Sequence, residues 1–242
     1  MSEIEDGQWI DRLSAQLVDA ERPAEVLRVA GAWLAARMAA EGFAWLRSRG
    51  TLQRVEGDRM EQIHLQNSRS NRAGEQVMFN VVLNVRDRRL AAWRGAHPDS
   101  ALREGSDDWV CGHPLGSLVD SMFGGHLGLT HPVQRLERME AFVGRLRQVA
   151  MPWFDSTADP SRLVTDVPDL TLGFDTSDLL EWLISRDEQG QARALLERWM
   201  ALYPSNPADF EAGCELARRD GERPPPGCGE APGWTAVRLG LL

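Results

Sequence analysis

The sequence predicts an α+β fold, in which an antiparallel meander sheet packs on helices and a helical hairpin follows at the C-terminal end. Three observations predict this fold. Five apolar residues alternate perfectly within 75–85, as in a strand with one buried face: Val77, Phe79, Val81, Leu83 and Val85. Apolar residues recur at helical intervals before and after this segment. Turn signals separate the strand candidates that precede it.

The N-terminal half is predicted to contain two helices and four strands. The first helix spans 8–20, and the second begins at Pro23 and ends where Gly42 can adopt a left-handed cap. A strand at 43–47 follows. Turn signals at residues 49–50 and 57–58 then separate two further strands, 51–56 and 59–67, from the strand at 75–85.

The C-terminal half is predicted to be helical, after a segment at 95–131 that shows no clear period. A helix spans 133–150 and is stopped by Pro152. A connector over 152–176 holds a short helix near 160–165, and Ser177 caps the next helix. Further helices cover Ala192 to Met200 and Phe210 to Ala217, and the apolar end, 234–242, is predicted to return as a strand. The expected domains are 1–165, a helical hairpin at 166–221 and a Pro/Gly-rich tail at 222–242.

Composition excludes several classes of function. Hydrophobic residues make up 43% of the 242 residues, and the net charge is −9. This negative charge disfavours binding to nucleic acid and favours binding to a basic protein partner. All 27 basic residues are arginine, so no lysine can serve a phosphate loop or a Schiff base. No apolar run is long enough to cross a membrane, the first residues lack signal-peptide character and the three cysteines form no CxxC pair. A cytoplasmic protein with no cofactor is expected.

The segment 107–131 contains most of the side chains that could bind a metal or take part in catalysis. Cys111, His113, His126 and His131 are candidate zinc ligands, although their spacing matches no zinc module, and ordinary loop residues are the alternative. Asp107 and Asp108 beside Trp109 can form an acid/base pair next to an aromatic platform, or a solvated turn with a buried tryptophan. Cys111 is either a nucleophile with a histidine base or a small core residue.

Two further loops, one rich in glycine and one polar, are weaker candidates for ligand binding. The run from Gly124 to Gly128 is too short and wrongly placed for a dinucleotide fingerprint. The polar loop 67–74 contains two arginines, so it is either an anion site or a plain hairpin tip.

The face of the 75–85 strand opposite its apolar face is the favoured docking surface. It carries Asn80 and Asn84, beside His64 and Gln66 on a neighbouring strand. Asp108 and Trp109 complete the set of candidate binding residues. This mixed polar face is either plain solvent-facing sheet or the floor of a binding surface.

The order of several short motifs resembles a bacterial family. These motifs are Gly42-Phe43, the strand from Gln62 to Gln66, Phe79-Asn80-Val81, Asp108-Trp109 and Pro152-Trp153-Phe154. Together they resemble domain-of-unknown-function family number 4304 over roughly residues 24–165. The family tends to carry a second tryptophan where this chain has Val110. The resemblance implies an α+β fold and supplies no activity, so no catalytic residue is carried over from it.

Two main functions remain open at this point. The leading hypothesis is a non-enzymatic interaction protein, such as an immunity-type protein that neutralises a toxin, because the chain is acidic and shows no assembled catalytic motif. The alternative is a small-molecule-binding protein or enzyme that uses the 107–131 loop. A weaker third option is a scaffold that binds a peptide through the helical hairpin. The sequence does not indicate an oligomeric state.

Overall fold

The computed structural model describes residues 3–119, 125–219 and 222–242. It divides into two compact units. Unit 1 comprises Met1–Asn84 and His113–Pro152, and unit 2 comprises Val85–Gly112 and Trp153–Leu242. Whether the predicted boundaries at 165 and 221 separate regions that fold independently stays a prediction.

Two helices precede four strands, a third helix separates these from two further strands, and helices follow to the end. In chain order the elements are α1 (Glu3–Asp19), α2 (Pro23–Arg37), β1 (Ala44–Leu46), β2 (Thr51–Glu56), β3 (Arg59–Asn67), β4 (Met78–Asp87), α3 (Arg88–Ala96), β5 (Trp109–Pro114), β6 (His126–Gly128), α4 (Arg135–Arg145), α5 (Met151–Ser156), α6 (Pro160–Asp166), α7 (Asp169–Ile184), α8 (Gln189–Leu202), α9 (Asn206–Arg218) and α10 (Ala231–Arg238). None of these helices, within the described residues, is long and apolar enough to cross a membrane.

The strands form the predicted meander, which confirms the α+β fold. The sheet order is β1-β2-β3-β4-β5, and the short β6 also pairs with β4. The pairing is antiparallel where β2 meets β3, with Leu52 opposite Ile63, and where β4 meets β6, with Phe79 opposite Leu127. β5 and β6 lie in the segment whose pattern was too weak to predict strands, because each is short and adjoins glycine-rich loops.

The β4 strand has the buried face that its alternation predicts. All five odd-numbered residues from Val77 to Val85 are at most 2% exposed. The 67–74 loop is a hairpin tip, in which the Asn71 side chain continues the ladder beyond the strands. Its Nδ2 donates to the Met78 carbonyl and its Oδ1 accepts from the Met78 N–H, both at 2.8 Å.

Helices α1 and α2 complete the core of unit 1. Trp33 and Leu34 of α2 are buried, and α2 packs on β1, β2 and β3. Trp33 Nε1 donates to Ser14 Oγ of α1 at 3.0 Å, which joins the two helices. Gly42 has a φ of +80°, as predicted for a left-handed residue, although α2 itself ends at Arg37.

A buried arginine ties the end of α1 to α4. Arg135 is 2% exposed, and its guanidinium donates to the carbonyl oxygens of Leu17 at 2.7 Å, Ala20 at 2.7 Å and Leu129 at 2.8 Å. Burial lowers the pKa of Arg135. The partial negative charge of the α1 carboxyl end compensates the cation in place of a carboxylate.

Pro152 does not stop a helix, contrary to the prediction. A π-helical turn, Leu146–Ala150, follows α4, and α5 continues directly from it. Met151 donates its backbone N–H to the Leu146 carbonyl in the wider i to i+5 pattern. Pro152 therefore falls in the first turn of α5, where a missing N–H costs little.

Two further predictions for the C-terminal half are wrong. The 152–176 segment is not mainly a connector, because α7 begins at Asp169, and Ser177 lies buried inside that helix rather than at its cap. The 234–242 end is not a strand, because residues to Arg238 belong to α10. The short helix near 160–165 is confirmed as α6, and α8 has the predicted apolar stripe.

Candidate functional site

The polar face of β4 forms the floor of a cavity of about 460 Å³ in unit 1. Asn80 and Val82 of β4 and Gln66 of β3 line it from the sheet. Pro114 at the end of β5, Ser117 just after it, and His126 of β6 line its other side. Two predicted binding residues, Asn80 and Gln66, thus converge with one of the predicted metal ligands, His126.

A hydrogen bond orders the polar groups of this cavity. His126 Nδ1 and Asn80 Oδ1 lie 2.7 Å apart. Because a carboxamide oxygen only accepts, Nδ1 carries the proton, and in the neutral ring Nε2 is the acceptor. The Asn80 carboxamide keeps both of its N–H donors. The pair therefore leaves one acceptor on the ring and two donors on the carboxamide.

Two glycines fix the wall of the cavity. The backbones at Gly116 and Gly125 approach so closely that a Cβ on Gly125 would lie 2.6 Å from the Gly116 nitrogen. A side chain at Gly125 would push the two segments apart. The described part of the predicted glycine run, Gly125 to Gly128, thus serves close packing and β6, while Gly124 lies outside the described residues.

The other two candidates on the polar face do not line this cavity. His64 Nδ1 lies 2.7 Å from Thr51 Oγ1 of β2, and burial lowers the pKa of His64. Asn84 is half-buried, and its Oδ1 has no hydrogen-bond partner within the described part of the chain. The polar face is therefore divided into a cavity around Asn80 and a flat region around His64.

Asp108 and Trp109 belong to unit 2 rather than to the cavity. Asp108 forms an ion pair with Arg86 at 2.8 Å. Asp107 accepts the Trp109 backbone N–H at 2.9 Å and pairs with Arg103 at 3.4 Å. Since each carboxylate already has its own arginine, this geometry favours the interpretation as a structural turn over an acid/base pair.

The predicted metal ligands are not brought together. Cys111 and His113 are buried on β5, whereas His126 and His131 are exposed, and His131 lines a different cavity from His126. No three His, Cys, Asp or Glu side chains in residues 3–119, 125–219 and 222–242 are grouped as metal ligands would be. Cys111 is fully buried, which favours a core role over that of a nucleophile.

A buried ion network in unit 2 escaped prediction. The Arg94 guanidinium is fully buried and donates to Glu181 at 2.6 Å and to Asp178 at 2.7 Å. Arg103 adds a second contact to Asp178 at 2.6 Å. The sequence signal was a row of three carboxylates at three-residue intervals in α7, Asp175, Asp178 and Glu181, which is the spacing of one helix face.

Desolvation dominates the electrostatics of this network. Burial raises the pKa of Asp178 to about 6, despite the opposing effect of Arg103 and Arg94. Burial likewise raises the pKa of Glu181, whose Oε1 accepts a short hydrogen bond from the Leu102 N–H. Because both carboxylates are enclosed, the network holds α3 and the following loop to α7 and is not accessible to a substrate.

The acidic charge of the chain is concentrated in unit 2. This unit contains 21 acidic residues and 13 arginines, whereas unit 1 contains 15 and 14. The formal net charges are therefore −8 and −1, which account for the −9 of the whole chain. Most acidic residues of α9 and the following loop are exposed, among them Glu211, Glu215, Glu222 and Glu230.

Two large aromatic side chains stand on the surface of the same unit. Phe174 is 58% exposed and Tyr203 is 48% exposed. Tyr203 lies beside the residue that precedes Phe174, because a Cβ on Gly173 would lie 3.6 Å from the Tyr203 ring. A Cβ on Gly227 would lie 3.4 Å from the Phe174 carbonyl oxygen, so the loop between Glu222 and Glu230 passes beside the Phe174 backbone.

Comparison with protein-family models, curated proteins and solved structures gives no significant match over any part of the chain. Arguments about its function therefore rest on the charges, cavities and contacts described above.

Proposed function

We propose that this chain is a non-enzymatic interaction protein that binds a basic protein partner through the acidic surface of unit 2, around Phe174 and Tyr203. The observation that carries the proposal is the net charge of −8 in a unit that also exposes two aromatic side chains, Phe174 and Tyr203. Complementary charge accelerates association, and exposed aromatic residues supply much of the energy of protein interfaces.

Immunity-type proteins, which neutralise a toxin by covering it, belong to this class of function. A cytoplasmic location is part of the same proposal and agrees with three free cysteines, Cys111, Cys214 and Cys228. The resemblance to family number 4304 adds no activity to the proposal and stays a prediction.

Affinity capture from the lysate of the source cell tests the proposal. We expect the wild-type chain to retain a protein whose isoelectric point is above about 9, and to release it at about 0.5 M salt, because screening weakens the attraction. The double substitution Phe174→Ser and Tyr203→Ser should lower the amount retained at least about tenfold, because it removes the apolar anchors.

A matched control is available in unit 1. Val133 is 89% exposed, so Val133→Ser removes an exposed apolar side chain from the other unit without loss of core packing. This variant should retain the partner as the wild type does. Equal capture by all three forms, or capture of acidic proteins alone, would contradict the proposal. If the retained protein has a measurable activity, its inhibition by the wild-type chain would identify the immunity-type role.

A further inference from the structure

We infer that the cavity over β4 in unit 1 is a binding site for a small neutral molecule that carries an amide or lactam edge. The cavity belongs to unit 1 and the acidic surface to unit 2. The inference therefore does not depend on the proposed protein partner. Its volume of about 460 Å³ lies within the range of small-molecule sites.

The absence of charge in the cavity sets the class of ligand. None of the described residues that line it is an arginine, an aspartate or a glutamate, although charged residues make up 26% of the chain. A charged ligand would find no arginine, aspartate or glutamate among these residues to pair with. A neutral ligand fits the lining.

The polar groups of the cavity match an amide edge. The bond between His126 Nδ1 and Asn80 Oδ1 leaves His126 Nε2 as an acceptor and the Asn80 Nδ2 hydrogens as donors. The Gln66 carboxamide and the Ser117 hydroxyl add a donor and an acceptor each, and neither side chain makes a hydrogen bond to another described residue. An amide, which joins an N–H donor to a carbonyl acceptor, complements the Gln66 carboxamide, whose nitrogen donates and whose oxygen accepts.

Apolar residues complete the lining of the cavity. Val82 and Pro114 offer apolar contact beside the polar groups. The close approach of Gly116 and Gly125 fixes the wall through backbone atoms, so the cavity does not depend on mobile side chains. A planar lactam, such as a pyrimidine base, and a short peptide amide share the required chemistry.

Two-dimensional NMR of the full chain, isotope-labelled, tests the inference with defined probes. The probes are uracil, the N-acetylated and amidated glycine dipeptide, and N,N′-dimethyluracil, which lacks the N–H donors. We expect uracil or the dipeptide to shift the side-chain amide signals of Gln66 and Asn80 and the ring signals of His126, with a dissociation constant of about 1 mM or below. The dimethylated probe should bind at least about tenfold more weakly, because its donors are blocked.

Matched variants separate the cavity from the rest of the polar face. Asn80→Leu should weaken binding of the active probe at least about tenfold, whereas Asn84→Leu changes a half-buried asparagine of the same strand that does not line the cavity and should leave binding unchanged. Gln66 is exposed, so Gln66→Ala gives a second loss-of-binding variant that does not disturb the core.

Each result decides the question. Uracil binding alone points to a nucleobase as the natural ligand, dipeptide binding alone points to a peptide amide, and either supports the inference. Absence of shifts at Gln66, Asn80 and His126 with both probes overturns it. Equal binding of the dimethylated probe, or equal loss in the Asn80→Leu and Asn84→Leu proteins, overturns it as well.

Discussion

At the scale of single residues, the two units stabilise buried charge in different ways. Arg135 in unit 1 is surrounded by carbonyl oxygens, so a helix end compensates its charge. Arg94 in unit 2 instead contacts two carboxylates, Asp178 and Glu181. In unit 2, three ionisable groups are therefore buried together away from water, and the cost of desolvating them offsets much of the attraction between them. A dependence of stability on pH follows.

Asp178 should make the protein less stable as pH rises from 4 to 7. Burial raises its pKa from 3.8 to about 6, so between these values the folded state holds a proton that the unfolded chain has released. The unfolded state then binds fewer protons, and the free energy of unfolding falls with rising pH. The shift corresponds to about 3 kcal/mol, at about 1.4 kcal/mol per pKa unit.

The substitution Asp178→Asn measures this contribution. The free energy of unfolding of the wild type, minus that of the variant, should decrease by about 2 kcal/mol between pH 4 and pH 7 in chemical denaturation, because part of the shift is already expressed at pH 4. Asp187→Asn is the control, because the Asp187 side chain is 98% exposed, and its difference from wild type should stay nearly constant. A wild type that gains stability over Asp178→Asn as pH rises would show that the attraction of the arginines dominates.

At the scale of elements, the crossing of α9 and α10 depends on two glycines. A Cβ on Gly213 would lie 2.9 Å from the Trp234 nitrogen and would collide with the Glu230 carbonyl. A Cβ on Gly233 would lie 3.0 Å from the Cys214 nitrogen and would collide with the Phe210 carbonyl. The backbones of the two helices therefore touch directly, and Trp234 and Ala217 fill the small core beside them.

The substitution Gly233→Ala should destabilise the protein by about 3 kcal/mol or more, because the added methyl meets rigid backbone rather than a movable side chain. Thermal and chemical denaturation measure the effect. Gly190→Ala is the matched control: Gly190 lies in α8, and its Cβ would meet nothing within 4 Å. This control should be neutral or more stable by up to about 1 kcal/mol. Similar stabilities of the two variants would show that α9 and α10 do not pack as closely as described.

These two glycines also explain where prediction from sequence fails. The five alternating apolar residues of β4 predict a strand because local periodicity and burial agree there. The stretch from Ala231 to Arg238 contains Gly, Thr and Val, whose helix propensity is low, yet it is helical because the contact with α9 outweighs propensity. Ser177 failed as a cap for a related reason, since α7 buries most of its surface and its apolar period extends N-terminally to Leu172.

The candidate site was predictable only in part. Asn80 and Gln66 followed from the alternation of β3 and β4, which fixes the residues on the polar face. His126 joins them through the pairing of β6 with β4, a contact between residues 46 positions apart in the chain. Such long-range pairing leaves no local signal in one sequence. The Arg94 network was missed for the same reason, because its ion pairs span 84 and 87 positions.

At the scale of the whole molecule, the unequal distribution of charge gives the strongest argument about function. Of the net charge of −9, −8 belongs to unit 2 and −1 to unit 1, so a basic partner would be attracted more strongly by unit 2 than by unit 1. The described residues that line the cavity of unit 1 include no arginine, aspartate or glutamate, which is compatible with a second binding activity of different chemistry.

Neutralising unit 2 should slow association with the captured basic partner. In the triple variant Glu197→Gln, Glu211→Gln, Glu222→Gln, three exposed charges are removed from this unit. We expect the association rate constant at low salt to fall about tenfold, while the dissociation rate changes little, because exposed charges act mainly on the encounter. Surface plasmon resonance at several salt concentrations measures both rates.

The control removes the same number of charges from unit 1, through Glu25→Gln, Glu56→Gln and Glu137→Gln, all three exposed. The two triple variants have the same net charge, so they differ in the position of the lost charges and not in their number. If unit 2 steers the partner, the unit 1 variant should associate nearly as fast as the wild type, and its rate should fall with salt as steeply as that of the wild type. Equal slowing of both variants would mean that the partner responds to total charge alone, and that unit 2 does not direct its approach.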